Sequence, residues 1–314
     1  MAAQARRNPR VAFLGPLASF SHQAALGSFG KQATLLPQPS FDHVFAAVQS
    51  KEADYAVLPL ENSTDGSVVQ AFDLLADREK KFEDLEVCAE YYLPVHLCFL
   101  LKKGTPGTEA TDDHQYPTTT IYSHPQVWGQ CTKFLSKFKE AKKIDVSSTA
   151  KAAEIVAHDN DPNSAAIASR LAAEMSGLNV EVDQIEDEAG NTTRFLILRN
   201  KKQDLTDVQN PLYMEQQPEL TQKSSCKSLI LLTPKRDAPG SLAEALLIFK
   251  SHGIDLTVIN TRHSGARRWE YIYFVECLRI GATFDEALVH KILAELADVT
   301  ESCRYFGSWR SQLD

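Results

Sequence analysis

Short apolar runs alternate along this chain with stretches of helical period, and most runs stop at a glycine, proline or serine turn. That alternation restricts the chain to layered α/β architectures in which helices cover largely parallel strands. Val11 to Leu14 runs into Gly15-Pro16, after which Ser19 can cap a helix that begins at Phe20 and ends at Gly30. A strand turning at Pro37-Gln38-Pro39 follows, then a helix capped by Ser40 with Phe41, Val44, Phe45 and Val48 on one face. The apolar run Asp54 to Leu60 stops at Glu61-Asn62-Ser63-Thr64-Asp65-Gly66-Ser67, before a helix from Val68. Loops at the C-termini of parallel strands gather on one edge of a sheet, so the Gly15 and Glu61 loops share that edge.

The β-rich stretch Leu85 to Leu101 breaks at Lys102-Lys103-Gly104 into a polar loop reaching Pro117, which marks a boundary between lobes. A second alternating set begins with the strand Thr119 to Tyr122. Ser123-His124-Pro125-Gln126 then opens a helix with Trp128, Cys131, Phe134 and Leu135 inward, proline suiting the first helical position. Ser148 caps a further helix, Ala165 to Ala168 is a short strand, and Gly177 closes the helix after it. The chain returns through Asn191-Thr192-Thr193-Arg194-Phe195 into the apolar strand Leu196-Ile197-Leu198. This organisation divides residues 9–200 into one lobe of residues 9–101 and 190–200 and a second of 102–189, with a cleft between them suited to a small ligand. Residues 201–225 lack periodicity and read as a linker. Residues 226–314 follow a βαββαβ order, the ferredoxin-like split unit, as a separate domain, with its second helix from Phe284 to Ala297.

A formal net charge of -8 leaves no global positive field to hold nucleic acid or an anionic membrane surface. No apolar run is long enough to span a membrane. The six cysteines are scattered singly, which fits reduced thiols and suggests no zinc site. Three arginines precede residue 11 with no acidic residue before Asp42, a transit-peptide flavour, but strand-like Val11 follows at once, so a cytoplasmic location is expected. Within the returning strand, two hydroxyls, a fixed cation and a ring arrive together. Arg194 can fork onto a carboxylate through two parallel N–H bonds, or it can be a solvated charge at a strand mouth whose threonines cap a turn.

Taken in order, the opening strand and glycine turn followed by Phe20-Ser21-His22-Gln23, the loop Glu61 to Ser67, Ser123-His124-Pro125-Gln126, and Thr193-Arg194-Phe195 resemble the motifs of prephenate dehydratases that carry a C-terminal ACT domain. The similarity runs from Val11 to Trp309. It implies a two-lobed, periplasmic-binding-protein-like catalytic domain followed by a ferredoxin-like ACT regulatory domain. It also implies the decarboxylating dehydration of prephenate to phenylpyruvate in phenylalanine biosynthesis, without cofactor or metal. By the same resemblance Thr193 hydrogen-bonds or protonates the leaving ring hydroxyl, Arg194 holds a substrate carboxylate, and Phe195 shapes an apolar wall. Asn62, Ser63, Ser123, Gln126 and Thr149 are expected to contact substrate. His124 can be a general base or only a helix cap, Thr149 a ligand contact or part of a cap, and His22 reads as structural.

In the small domain the resemblance places a regulatory phenylalanine site at Gly240, Ser241, Leu242, Asn260 and Arg262, and implies a homodimer or homotetramer. The chain departs from the family pattern in three places. Leu17-Ala18-Ser19 stands where Glu-Gly-Thr is common, Ser241 replaces an alanine, and Asn260-Thr261-Arg262-His263 keeps only the arginine of Glu-Ser-Arg-Pro. Trp269-Glu270-Tyr271 matches the downstream pattern. An arogenate dehydratase carries the same motifs, and a non-catalytic amino-acid sensor shares the two-lobed plan.

Overall fold

The computed structural model describes residues 6–104, 118–209, 225–279 and 286–313. The first sheet holds β1 (Arg10–Leu14), β2 (Thr34–Gln38), β3 (Tyr55–Asn62), the short β4 (Gly66–Ser67), β5 (Leu85–Pro94) and β11 (Thr192–Asn200). Its order is β2-β1-β3-β11-β5, with β4 paired to β3. Helices α1 (Phe20–Phe29), α2 (Phe41–Gln49) and α3 (Val69–Ala76) pack on it. The expected caps are formed: Ser19 accepts from the His22 N–H, Ser40 from His43, and Gly30 ends α1.

The second sheet holds β6 (Cys98–Leu101), β7 (Thr120–Ser123), β8 (Lys142–Asp145), β9 (Ser164–Ala168) and β10 (Asn179–Val182), in the order β10-β6-β9-β7-β8. With it go α4 (Pro125–Gln130), α5 (Thr132–Leu135), α6 (Thr149–His158) and α7 (Arg170–Ser176), α6 capped by Ser148 and α7 closed by Gly177. The single helix expected across Trp128 to Leu135 is two short ones broken at Cys131, because the Asp187 carboxylate accepts from the Thr132 and Lys133 N–H groups and starts a new turn there.

Each sheet is largely parallel but carries a reversed strand, β11 in the first, besides the two-residue β4, and β6 in the second. β11 and β6 are the strands by which the chain changes lobes. No crossover helix lies between β5 and β6 or between β10 and β11, so the chain runs on instead of returning in the same sense. The expected lobe boundary at Leu101 is therefore wrong: Cys98–Leu101 pairs with β9 and β10 in the second lobe. The run Leu85–Leu101 is apolar on both sides of the true crossing at Val95–Leu97, which left nothing in its composition to mark the break.

The third sheet is built from β12 (Cys226–Pro234), α8 (Ser241–Ser251), β13 (Asp255–His263), β14 (Tyr271–Arg279), α9 (Glu286–Val299) and β15 (Thr300–Arg310), a βαββαβ order. It is antiparallel throughout, in the order β13-β14-β12-β15. Phe284, where the second helix was expected to begin, lies outside the described residues, as do residues 105–117 of the expected polar loop and 210–224 of the expected linker. Residues 201–209 are not free linker: Val208 is buried in the first lobe's core and Gln203 hydrogen-bonds Asp54. Among the described residues no helix is long and apolar enough to cross a membrane.

One face of the third sheet carries α8 and α9, and the other completes the core of the first lobe. Leu229, Leu231, Ile272, Phe274, Phe306 and Trp309 share one cluster with Phe45, Phe72, Leu75 and Leu196. Phe274 meets Phe72 edge-on with centroids 5.1 Å apart. Gly307, at φ 121°, lets β15 lie against β5, since a Cβ there would sit 2.3 Å from the Val87 carbonyl oxygen. Because this core is shared, Phe274→Ala is expected to cost about 3–5 kcal/mol and to shift a single cooperative urea transition seen by both far-UV and near-UV dichroism. Two separate transitions, only one of them shifted, would show that the sheet and the lobe fold independently.

Candidate active site

A cavity of about 550 Å³ lies between the two lobes. The C-terminal end of β1 (Leu14, Gly15), the end of β3 with its following loop (Asn62, Asp65 to Val68), the crossing residues Val95 and Leu97, and Thr193 of β11 contribute from one side. His124, Gln126 and Gln130 of α4 and Ser147 to Thr149 at the start of α6 contribute from the other. The α/β alternation explains this convergence: parallel strands deliver their C-terminal loops, and the helices that follow begin at the same edge.

Thr193 and Asn62 are a cross-strand pair of β11 and β3. The Asn62 Oδ1 accepts from the Thr64 and Asp65 backbone N–H groups at 2.9 and 3.0 Å, an Asx turn that fixes which end of the amide faces where. Its Nδ2 must then face β11, where it donates to Thr193 Oγ1 at 3.0 Å and to Asn191 Oδ1 at 2.7 Å. The Thr193 oxygen is thereby occupied as an acceptor, and its proton is left to donate elsewhere. A hydroxyl already accepting one hydrogen bond is a somewhat stronger donor of the next.

The cavity wall carries no lysine or arginine among the described residues. The starts of α1, α3 and α6 reach it, where Ser19 and Phe20, Val68 and Val69, and Ser148 and Thr149 line the space and the helix dipoles present their positive ends. His124 caps α4, its Nδ1 accepting from the Gln126 N–H at 3.4 Å, which puts the neutral ring's proton on Nε2. Burial lowers the His124 pKa against the opposing pull of Asp145 and Asp65, so the ring is neutral at pH 7. Among the described residues Asp65 is the one acidic side chain on the wall, and Gln130 Nε2 of the second lobe donates to it at 2.6 Å across the cleft.

Thr193, Asn62, Gln126 and Thr149 thus line one cavity, and four other expected contacts do not. Ser63 Oγ accepts from the Thr192 N–H and extends the β3/β11 ladder. Ser123 is fully buried and donates to the Ile167 carbonyl. Phe195 is packed in the core with Phe13, Phe29 and Ala24, so it shapes no cavity wall. Arg194 does not reach the cleft at all. Side chains alternate across a strand, so the residue after Thr193 points to the opposite face, where Leu196 packs toward the third sheet. There Arg194, 3% exposed, donates to Glu90 and Glu61 at 2.9 Å each and pairs with Glu276 of β14. Burial by itself would lower its pKa, but Glu276 and Glu90 outweigh that and raise it above its ordinary value. A guanidinium so committed has no fork left for a substrate carboxylate. His22, read as structural, stacks on Phe13 and accepts from the Ala18 N–H through Nδ1.

The expected regulatory residues are divided between two faces of the third sheet. Gly240, at φ 92°, starts α8, and Ser241 is buried there, donating to the Val299 carbonyl and accepting from the Lys235 N–H, with Leu242 half-buried beside it. Asn260 and Arg262 pair with Phe274 and Ile272, which face the first lobe. Accordingly Asn260 Nδ2 donates to Ser67 Oγ at 2.8 Å, on the loop that lines the cavity, and Arg262 forks onto Asp73 of α3 at 2.8 and 2.9 Å. Both side chains are occupied within the chain. Asp65, Gln130, Val95 and Leu97 were not among the expected site residues. Asp65 lay inside a motif already singled out, but nothing in the sequence signalled the contact with Gln130.

A sequence-family model described as prephenate dehydratase matches residues 11–203. A bifunctional chorismate mutase/prephenate dehydratase of Aquifex aeolicus is 34% identical over 97% of this chain and 74% of its own length. A probable prephenate dehydratase of Saccharomyces cerevisiae is 33% identical over 87% of this chain and 88% of its own. The crystal structure of prephenate dehydratase from Arthrobacter aurescens in complex with L-Phe superposes with a TM-score of 0.77 at 26% identity, covering 96% of this chain and 90% of that one.

Since Arg194 is a buried ion-pair centre, Arg194→Lys, which keeps the charge but not the three-way geometry, is expected to lower stability by about 3–5 kcal/mol in chemical denaturation. The substrate KM of the folded fraction should stay within about twofold of wild type, since no ground-state contact is lost. A clear rise in KM with unchanged stability would return Arg194 to the cleft.

Proposed function

The chain belongs to the prephenate dehydratase family, and we propose that its cavity converts prephenate to phenylpyruvate through the Asn62–Thr193 pair. In this reaction the bond from ring C1 to its carboxylate breaks and releases carbon dioxide. The freed electron pair moves through the ring, the C4–oxygen bond breaks, and the hydroxyl leaves with a proton as water. Hydroxide is a poor leaving group, so a donor at that oxygen lowers the barrier. Thr193 supplies that donor, and solvent returns a proton to its oxygen as the departing hydroxide becomes water. Its oxygen already accepts from Asn62, so its O–H is directed onward to the substrate. This observation carries the reading.

The starts of α1, α3 and α6, with Thr149 and Gln126, supply N–H and side-chain donors for the two substrate carboxylates in place of a fixed cation. Leu14, Pro59, Val95, Leu97 and Val127 form apolar wall. A carboxylate held against such a surface loses hydration, which favours the charge-dispersed path to carbon dioxide. Phenylpyruvate formation from prephenate by the purified protein tests the reading, and Thr193→Ala should reduce turnover by about 10²- to 10⁴-fold with the fold intact. Near-normal turnover in a folded Thr193→Ala protein removes Thr193 from the mechanism.

A second reading, arogenate dehydratase, draws support from Asp65. An acidic side chain on a wall without lysine or arginine suits the ammonium group that arogenate carries where prephenate has a keto group. The ratio of kcat/KM for the two substrates, measured in parallel, decides between them.

The βαββαβ unit is proposed as an ACT regulatory domain that binds L-phenylalanine and pairs with a second copy in a cytoplasmic homodimer or homotetramer. Its strand order and the likeness to a prephenate dehydratase crystallised with L-Phe support this. The engagement of Asn260 and Arg262 with the first lobe requires the effector to be held by other groups near Gly240, or to displace those contacts. Saturating phenylalanine is expected to lower the initial rate, with a coupling of about 1–3 kcal/mol. No change in either rate or Tm would rule the effector out.

A further inference from the structure

Glu276 lies on β14, outside the cavity, yet its carboxylate pairs with Arg194, the residue that follows Thr193 in β11. It is 2% exposed and faces the first lobe. Oε2 pairs with Arg194 Nη2, and Oε1 accepts from Thr257 Oγ1 at 2.8 Å, with Lys227 Nζ 3.9 Å away. Lys227 also donates to both oxygens of Glu90 and to the Tyr92 hydroxyl. Two cations and the carboxylates of Glu61, Glu90 and Glu276 therefore form one cluster. Within it only Arg194 is bonded to all three carboxylates.

The position of this cluster gives it leverage on the site. Arg194 pairs with Glu61, and Thr193 with Asn62, as successive cross-strand pairs of β11 and β3. Immediately after them the register shifts, so that Phe195 pairs with Pro59 and Leu60 is left without a partner on β11. A bulge of this kind re-aims the residues beside it. The Arg194–Glu61 ion pair joins β11 and β3 next to that bulge, and Glu276 and Glu90 bond the same guanidinium. We propose that Glu276 is a positioning residue for the dehydration, holding Arg194 so that the bulge keeps Thr193 in register with Asn62. This rests on the reading of the cavity as a prephenate dehydratase site.

The test is a double-mutant cycle on folded protein with prephenate. Glu276→Gln is expected to lower kcat by about 10- to 100-fold, as small misplacement of a reacting group does, with KM within about twofold. Asn62→Ala removes the hydrogen bond through which the register acts. In that background Glu276→Gln should lower kcat by less than about threefold, because coupled residues are not additive. A purely structural carboxylate would give the same loss in both backgrounds, and that result, or an unchanged kcat in folded Glu276→Gln, overturns the proposal. If Glu276→Gln does not fold, Thr257→Val decides instead, since it removes only the hydroxyl that orients Oε1. A kcat fall of about threefold to tenfold, again lost in the Asn62→Ala background, supports the proposal, and no fall overturns it. Wild-type protein that forms no phenylpyruvate would sink the functional reading itself, a different failure.

Discussion

The burial of Arg194 is the constraint on which the arrangement of this molecule depends. A guanidinium away from water carries a desolvation cost of several kcal/mol unless carboxylates surround it with good geometry. Here Glu61, Glu90 and Glu276 do so from three different strands, β3, β5 and β14. Glu276 and Arg194 are both almost fully buried, so β14 cannot move away from β11 without breaking an ion pair out of reach of water. The cluster therefore sets the position of the third sheet against the first, and with it the approach of β15 to β5 that Gly307 allows. Apolar burial around Phe274 and Phe72 supplies the non-directional part of the same interface. The charges supply its register.

The cavity solves the opposite electrostatic problem. Its proposed substrate is a dianion, yet the wall has no fixed cation among the described residues. Helix starts from both lobes supply oriented N–H groups in place of a side-chain charge. Such dipoles stabilise anions without the long, flexible stems of lysine or arginine, and without ion pairs that must be broken before the product leaves. The Asn62 amide is used in full: its oxygen turns the loop, and its nitrogen holds Thr193 and Asn191. One short side chain thus links the shape of the β3 loop to the orientation of the Thr193 hydroxyl.

The third sheet reaches the cavity by two routes. One runs through Glu276 and Arg194 behind Thr193, and the other through Asn260 to Ser67 on the cavity-lining loop. Arg262 bonds Asp73 of α3, and Arg78, two residues beyond that helix, donates to the His263 carbonyl at the end of β13. An effector bound to this sheet would need no long relay, since a shift of β13 or β14 would act directly on groups that touch or flank the site. The replacement of the family's glutamate by Asn260 takes on meaning in this setting. A neutral amide can donate to Ser67 Oγ without placing another negative charge near a cavity meant for an anion.

What the sequence determined by itself was local. The alternation of apolar runs and helical faces, the caps at Ser19, Ser40 and Ser148, the stop at Gly177 and the strand that opens with Thr192 and Thr193 all follow from interactions within a few residues, so they could be read in order. The βαββαβ unit was legible for the same reason, and so was the convergence of the Gly15 and Glu61 loops, which depends only on parallel strands sharing one edge. Tertiary structure alone decided which face of β11 meets the cleft. A period of two says that Thr193 and Arg194 point opposite ways, but not which side faces the cleft and which meets Glu276, a residue 82 positions further along the chain. The same limit applies to Ser123, buried against Ile167, and to Cys98–Leu101, whose lobe is set by pairing with β9 rather than by its own apolar character. Pairings between distant segments cost chain entropy that local propensity does not reveal, and only the assembled core repays it.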